Sequence, residues 1–168
     1  MRILGIAGWS GAGKTTLLAK LIPELTKRGL SVSTMKHAHH AFDVDTPGKD
    51  SYIHRAAGAT EVMVASGKRW ALMHELRDDP EPEAADLIRH MSPVDLLLIE
   101  GFKNGPHDKL EIYRALNGKP RLSAGDPTYV AILSDGPVED AKLPVVDLND
   151  ITAIADFIIA HCRLNERR

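Results

Sequence analysis

This sequence of 168 residues contains little cysteine, has a small net charge and lacks long apolar stretches. Cys162 is its one cysteine, which excludes an internal disulfide and fits a reducing compartment. The formal net charge is −2, so no positive excess indicates a nucleic-acid or membrane partner. No apolar run approaches the roughly 18 residues of a membrane span, and no basic-then-apolar leader is evident. We therefore expect a soluble cytoplasmic protein that binds neither nucleic acid nor membrane.

The most informative feature that is present is a phosphate-binding loop. Residues 8–15 read Gly-Trp-Ser-Gly-Ala-Gly-Lys-Thr, which matches the G-x-x-x-x-G-K-[ST] pattern. An apolar run over residues 3–7 precedes the loop and a helical pattern over 15–28 follows it. In that setting, backbone N–H groups and the helix N-terminus face the phosphates, Lys14 reaches the β- and γ-phosphates, and Thr15 coordinates Mg²⁺. The loop predicts that the chain binds a nucleoside triphosphate.

The order of apolar runs and helical patterns indicates the fold class. Short apolar runs predict buried strands at residues 3–7, 30–35, 94–99, 129–133 and 144–146. Further helical patterns lie between or after them, at residues 49–57, 81–91 and 150–161. Alternating strands and helices predict an α/β layer fold with a mainly parallel sheet. We expect a single domain over residues 1–168.

Two segments interrupt this alternation. Residues 61–66 and 69–75, joined by Gly67-Lys68, predict an antiparallel hairpin, and residues 110–115 predict another short strand. Neither belongs to a minimal β-α-β repeat, so we expect both to extend one edge of the sheet. An exposed apolar edge is usually protected, and a two-fold partner is one way to protect it.

Acidic residues after two strands are candidates for a Mg²⁺ site. Glu100 directly follows the apolar run 94–99, and the carboxyl ends of parallel strands lie on the same side as the phosphate loop. Glu100 is therefore predicted to contact the metal directly or through water. The loop after the second strand supplies Asp45 as a second acid, with Asp43 in reserve, and Lys49 as a candidate contact to phosphate or to an anionic partner.

The same loop holds a histidine cluster of His37, His39 and His40. These side chains are candidate transition-metal ligands, contacts to a substrate or partner, or ordinary loop residues. No cysteine accompanies them, and the nearby acids suit Mg²⁺ better than a transition metal. The metal interpretation is therefore the weakest of the three.

Selection of the base is less clear, because the N-K-x-D sequence of many GTPases is absent. Asp135 follows the strand at 129–133, and its carboxylate can accept hydrogen bonds from guanine N1 and N2, which adenine cannot offer. A turn formed by Ser134-Asp135-Gly136-Pro137 explains the same residues equally well. The residues thus favour GTP over ATP only weakly.

Taken together, the loop GWSGAGKTT, the segment KHAHHAFDVDTPGKDSYIHRAAGA and the strand DLLLIEGFK resemble the MobB family. These proteins bind GTP and are associated with making the guanine dinucleotide form of the molybdenum cofactor. The resemblance covers most of the chain, and the middle segment is its most specific part. It implies a three-layer P-loop NTPase fold, a homodimer, GTP with Mg²⁺, weak GTP hydrolysis, and assistance to the MobA-type guanylyltransferase that joins GMP to molybdopterin.

The resemblance also implies roles for individual residues. Residues placed at the nucleotide and metal are Gly8, Ser10, Gly11, Ala12, Gly13, Lys14, Thr15, Thr16, Asp45 and Glu100. Among these, the candidate catalytic groups are Lys14, Asp45 and Glu100, and the candidate metal ligands are Thr15, Asp45 and Glu100. A family-specific surface is formed by His37, His39, His40, Lys49, Asp50, Gly101 and Lys103. Trp9 stands where iron-protein relatives carry a second lysine that crosses their dimer, so closure by such a lysine is not expected.

Two other functions remain open. Many small-molecule kinases share this loop and size, but they usually cover the phosphates with an arginine-rich lid. The candidate lids, around Lys68-Arg69 and around Lys103 and Lys109, are not rich in arginine. The other alternative is an interaction module in which the nucleotide only sets the shape of the protein.

No Arg or Gln is evident beside the acids to orient water, so we expect slow GTP hydrolysis at most.

Overall fold

The computed structural model of the protein describes residues 1–38 and 42–164. Two compact units are present, one comprising Met1–His37 with Met91–Arg168 and the other Ala38–His90. The prediction of a single domain over residues 1–168 stays a prediction. In the first unit the elements are β1 (Arg2–Ala7), α1 (Lys14–Lys27), β2 (Val32–Lys36), β5 (Leu96–Glu100), β6 (Lys109–Tyr113), β7 (Tyr129–Ser134), β8 (Val145–Asp147) and α4 (Ile151–His161). In the second they are α2 (Asp50–Ala56), β3 (Glu61–Ala65), β4 (Trp70–His74) and α3 (Ala84–Ile88).

The sheet of the first unit has six described strands in the order β2-β5-β1-β6-β7-β8. Every neighbouring pair is parallel, which confirms the predicted parallel sheet. Glu100 lies opposite Ile6 of β1 on one side and opposite Lys36 of β2 on the other. The carboxyl ends of these strands therefore meet at one edge, next to the start of α1.

The strand predicted at residues 110–115 is β6, and the prediction that it extends an edge was wrong. β6 lies between β1 and β7 in the middle of the sheet. Its Leu110 and Ile112 are buried in the core, where they meet apolar side chains from both neighbouring strands. An interior strand needs such residues because neighbouring strands cover both of its backbone edges and helices or loops cover its faces.

One face of the sheet packs on α1 and α4. Leu17, Leu21 and Leu25 recur at helical spacing on α1, and Ile154 and Ile158 do so on α4; all five belong to one buried cluster. Burying each such side chain contributes about 1.5–3 kcal/mol. This packing holds the first turn of α1 against the end of β1, and so holds the phosphate loop between them.

The opposite face of β6 carries two buried charged residues, Lys109 and Glu111, which are 1% and 0% exposed. The Lys109 ammonium donates to the carbonyl oxygens of Gly105 and His107 at 2.6 and 3.0 Å and to Thr128 Oγ1 at 2.7 Å. Burial lowers the pKa of Lys109. These bonds fasten the segment between β5 and β6, which includes Gly101 and Lys103, to the sheet.

Glu111 fastens the segment between β6 and β7 to the sheet. Its carboxylate accepts hydrogen bonds from the backbone N–H groups of Leu122 and Ser123 at 2.6 and 2.9 Å. A buried carboxylate is tolerated when its oxygens accept such bonds. The long segment 114–128 is therefore tied to the strand that precedes it.

The second unit contains the predicted hairpin. β3 and β4 pair antiparallel, with Glu61 opposite His74 and Ala65 opposite Trp70. The prediction that the hairpin extends an edge of the main sheet was wrong, because among the described residues these two strands form a separate two-stranded sheet. The described edges of the main sheet are β2 and β8 instead. α3 is five residues long, shorter than the helix predicted at 81–91.

Within the described ranges, no helix has the length and apolar character that crossing a membrane requires.

Replacing Lys109 by Met should destabilise the protein by about 3 kcal/mol, because two carbonyls and one hydroxyl lose their buried charged donor. Urea unfolding followed by circular dichroism measures this change. The control is Lys142→Met, since Lys142 is exposed, and it should lie within about 0.5 kcal/mol of the wild type. Equal stability of the two variants would show that the Lys109 bonds do not hold the neighbouring segments.

Candidate functional site

The phosphate loop runs from the end of β1 to the first turn of α1. Gly13 caps the helix with φ 103° and ψ 21°, a left-handed conformation that favours glycine. The Ala12 backbone N–H donates to the Trp9 carbonyl oxygen at 3.1 Å, which closes the turn. The loop therefore curls around a hollow at the helix N-terminus, where free N–H groups and the helix dipole favour an anion.

Lys14 places an ammonium group over this hollow. Its Nζ donates to the carbonyl oxygens of Gly8 and Trp9 at 2.8 and 3.2 Å. These are neutral acceptors, so the positive charge remains available to a ligand. The surrounding cleft has a volume of about 360 Å³ and is lined by Ser10, Gly11, Gly13, Lys14, Thr15, Thr16 and Glu100. Of the predicted loop contacts, Gly8 and Ala12 are not among these lining residues, and the methyl group of Ala12 is buried in the core.

Thr15 and Glu100, the two residues predicted at a metal in this region, meet in the cleft. Thr15 Oγ1 donates to Glu100 Oε1 at 3.4 Å, and Glu100 is only 9% exposed at the end of β5. A hydroxyl and a carboxylate are hard oxygen donors of the kind that Mg²⁺ prefers. The ammonium of Lys36 lies 3.9 Å from Glu100 Oε1, and β-strand register explains its position, since Lys36 pairs with Glu100.

Asp45 belongs to the second unit, where it takes part in a network around Arg55. Its Oδ1 accepts from Ser51 Oγ at 2.7 Å, and its Oδ2 lies 3.5 Å from Arg55 Nε. Arg55 also donates to Asp43 at 2.7 Å and to Glu75 at 3.1 Å. A backbone bond from Asp45 and the pairing with Arg55 lower the pKa of Asp43. These contacts order the start of α2, and the role of Asp45 or Asp43 at a metal stays a prediction.

Part of the predicted family-specific surface is brought together in the first unit. The His37 backbone N–H donates to the Glu100 carbonyl at 2.8 Å, and its ring lies 4.5 Å from that of Phe102. Gly101 has φ +96°, and a Cβ there would come within 2.8 Å of His37 Cβ. Lys103 is exposed. Lys49 and Asp50 lie in the second unit, as the cap and first residue of α2.

The transition-metal interpretation depends on His39 and His40, which lie outside the described residues. Among residues 1–38 and 42–164, no group of three or more His, Cys, Asp or Glu side chains is arranged to hold a metal.

Asp135 lies just beyond β7 and forms an ion pair with Arg114, just beyond β6. Arg114 Nε also donates to the Ala12 carbonyl oxygen of the phosphate loop at 3.0 Å. Arg114 was not predicted as a site residue, although it falls within the predicted strand 110–115. The prediction put that strand at an edge of the sheet, away from the phosphate loop. In the structure β6 lies beside β1, so Arg114 reaches the phosphate loop.

Trp9 connects the phosphate loop to the two long segments of the first unit. Its indole N–H donates to the Pro120 carbonyl at 2.8 Å. The ammonium groups of Lys103 and Lys119 each lie 5.9 Å from the centre of its ring, a distance at which a cation is attracted to the aromatic face. Movement of the segment with Lys103 or of the segment with Lys119 would therefore change the contacts of Trp9 in the phosphate loop.

Comparison with known proteins gives consistent matches. The model of the family described as "MobB: Molybdopterin guanine dinucleotide synthesis protein B" matches residues 3–135. The chain is 44% identical to the molybdopterin-guanine dinucleotide biosynthesis adapter protein of Escherichia coli K12, covering 94% of this chain and 91% of that protein. It is 43% identical to the protein of the same name from Haemophilus influenzae, covering 93% and 86%.

Solved structures of MobB proteins also match this chain. A crystal structure of molybdopterin-guanine biosynthesis protein B is 28% identical, covers 96% of this chain and 99% of its own, and has a TM-score of 0.75. That of Bacillus subtilis MobB is 26% identical, covers 95% and 97%, and has a TM-score of 0.72. These matches confirm the predicted α/β P-loop fold with a mainly parallel sheet.

Replacing Gly101 by Ala should reduce the free energy of unfolding by about 2 kcal/mol, because alanine is strained at this φ and its methyl group would press on His37. Urea unfolding provides the measurement. Gly136→Ala is the matched control: no described atom lies within 4 Å of a Cβ built there, so a change within about 0.5 kcal/mol is expected. A Gly101→Ala protein as stable as this control would contradict the close approach of Gly101 and His37.

Proposed function

The chain belongs to the molybdopterin-guanine dinucleotide synthesis protein B (MobB) family, and we propose that it binds GTP with Mg²⁺ as an adaptor for that synthesis. The observation that carries the proposal is the cleft at the start of α1. It combines a curled backbone, the Lys14 ammonium and the paired oxygens of Thr15 and Glu100. An anion at the lysine and a divalent cation at the oxygens are both needed to satisfy such a site, and a Mg²⁺–triphosphate supplies both.

Mg²⁺ fits the donor set of the cleft. When bound, the cation would supply positive charge that neutralises the β- and γ-phosphate oxygens. Thr15 and Glu100 are the residues that would hold it, and we propose Asp45 as the second acid. Lys14 would bind the same phosphate oxygens from the side of the loop. The Lys36 ammonium, 3.9 Å from Glu100, would balance the charge of the carboxylate.

Guanine is the base that this site supports best. The Asp135 carboxylate lies beyond β7, on the side of β1 opposite to Glu100. Guanine offers N1–H and N2–H donors to a carboxylate, whereas adenine presents an acceptor at N1. The same Asp135 would therefore attract one purine and repel the other.

The composition of the cleft supports binding with slow hydrolysis at most. Its described lining contains neither Arg nor Gln, the side chains that orient water or stabilise transferred charge in fast GTPases. Arg114 is engaged by Asp135 and the Ala12 carbonyl. Such a site suits a protein that holds GTP for another enzyme, and we propose a MobA-type guanylyltransferase as that partner, working with this chain in the cytoplasm.

We further propose that the protein works as a homodimer and that residues 1–168 act as one domain. The hairpin of the second unit supports dimerisation through its exposed apolar side chains. Met63 and Trp70 are 62% and 63% exposed, and Val64 and Leu72 are also exposed. By the strand register, Met63, Leu72 and Trp70 share one face of the hairpin and Val64 lies on the other. An exposed apolar face of this kind is typical of a protein contact.

The central test is a calorimetric titration of GTP in the presence of Mg²⁺. Wild-type protein should bind one GTP per chain, and Lys14→Ala should weaken binding by about 100-fold, because a charged hydrogen bond to phosphate is lost. Lys20→Ala is the matched control, since Lys20 is an exposed lysine of the same helix and lies outside the cleft. Undiminished binding by the Lys14 variant would refute the proposed nucleotide site.

A second titration isolates the metal. Wild-type protein should bind GTP more tightly with Mg²⁺ than with EDTA, and Glu100→Gln should remove most of this gain, because an amide is a poorer Mg²⁺ ligand than a carboxylate. In EDTA the variant should bind GTP at least as well as wild type, since a negative charge near the phosphates has been removed. If the variant kept the full gain from Mg²⁺, Glu100 would not be a metal partner.

A further inference from the structure

We propose that Arg114 is the residue that positions Asp135 for guanine and couples the base to the phosphate loop, so that it sets the preference for GTP over ATP. The inference rests on the proposed GTP binding and adds a specificity residue to it. The structural observation behind it is one guanidinium group that touches the Asp135 carboxylate and the phosphate loop together.

The strand order explains how a single side chain reaches both. β6 and β7 are parallel neighbours with Tyr113 opposite Ser134, so the residues that follow them, Arg114 and Asp135, emerge side by side at the carboxyl edge of the sheet. β6 also neighbours β1, whose end leads into the phosphate loop. Arg114 therefore stands between the loop and Asp135.

The contacts of Arg114 use different parts of its planar group. Nη1 pairs with Asp135 Oδ2, and Nε donates to the Ala12 carbonyl at 3.0 Å. Nη2 lies 3.6 Å from where a Cβ would stand on Gly13. The side chains of Arg114 and Asp135 are 34% and 27% exposed, so the pair is partly shielded from water and its geometry is held at both ends.

The position of the pair matches the base end of a bound nucleotide. Glu100, which accepts from Thr15, ends β5 on one side of β1, and Arg114 and Asp135 follow β6 and β7 on the other side. A nucleotide whose terminal phosphates occupy the Thr15–Glu100 side extends its nucleoside toward the other side. The carboxylate it meets there is Asp135.

The chemistry of the pair favours guanine. A carboxylate has about four lone-pair sites, so Asp135 can accept from Arg114 and still accept from guanine N1–H and N2–H. Arg114 is always charged and only donates, and its planar fork fixes the orientation of the carboxylate. An unanchored Asp in an exposed turn would pay rotamer entropy for each base it bound.

The bond from Arg114 to Ala12 links this recognition to the triphosphate. Ala12 precedes Gly13 and Lys14, the residues that shape the phosphate hollow. Guanine bound to Asp135 would hold Arg114 in place and thereby the Ala12 carbonyl. Adenine gives no such bond, so ATP would be bound by a less ordered loop. The two ends of the nucleotide would then bind cooperatively only when the base is guanine.

The test measures the dissociation constants of GTP, ITP and ATP with Mg²⁺ for wild type, Arg114→Gln and Arg114→Lys. ITP carries a guanine-like N1–H but no 2-amino group, so it reports the second hydrogen bond alone. Arg114→Gln should reduce the GTP-over-ATP preference by about tenfold while changing ATP affinity by less than about threefold. GTP and ITP should become nearly equal for this variant. Arg114→Lys should give an intermediate preference, because it keeps the charge without the planar fork.

Arg121→Gln is the control, since Arg121 is a partly buried arginine of the neighbouring segment and should leave all three constants unchanged. Equal losses of GTP and ATP binding in both Arg114 variants, or no loss, would overturn the specificity role and leave only a structural one. If Arg114→Gln fails to fold by circular dichroism, the Lys variant decides alone by the same ratio. Wild-type protein that binds none of the three nucleotides would instead refute the proposed GTP binding itself.

Discussion

The parallel pairing of β1 with β5 on one side and β6 on the other is the constraint on which the site depends. It brings the ends of three strands to one edge, beside the start of α1. Glu100 arrives there from β5, the phosphate loop from β1 and Arg114 from β6. The acid, the phosphate-binding loop and the arginine thus come from separate stretches of the chain. The hydrogen-bonded pairing of the strands, rather than contact between the side chains, sets their spacing.

Two buried charges keep the surroundings of this edge in place. Lys109 and Glu111 occupy one face of β6, where apolar residues would be expected, and each is satisfied by hydrogen bonds to a neighbouring segment. Those segments have little regular structure of their own, so their backbone groups need partners. The arrangement places Pro120, Lys103 and Lys119 against Trp9 of the phosphate loop, at the cost of desolvating charged groups in the interior.

Much of the fold and the phosphate end of the site follow from local patterns. The loop motif is read directly from a short run of residues, and the parallel sheet was predicted correctly. Glu100 was predicted on the side of the phosphate loop because parallel strands end on one side. Its contact with Thr15 agrees with that position, and the role of both residues at a metal stays a prediction. The hairpin at Glu61–Ala65 and Trp70–His74 was also predicted from short runs of residues. Its separate sheet was not, since strand pairing across the chain leaves no periodic signal in the strand itself.

The proposed base end of the site shows where local patterns stop being informative. Asp135 was visible as an acid after a strand, but its partner Arg114 was hidden inside a run that looked like an edge strand. Whether that run lies at an edge or beside β1 is decided by long-range pairing and by which apolar faces can be buried together. The sequence was therefore sufficient for the phosphate cradle, whose geometry is local, while the three-dimensional arrangement was needed for the Arg114–Asp135 pair, whose members meet only because β6 and β7 are neighbours.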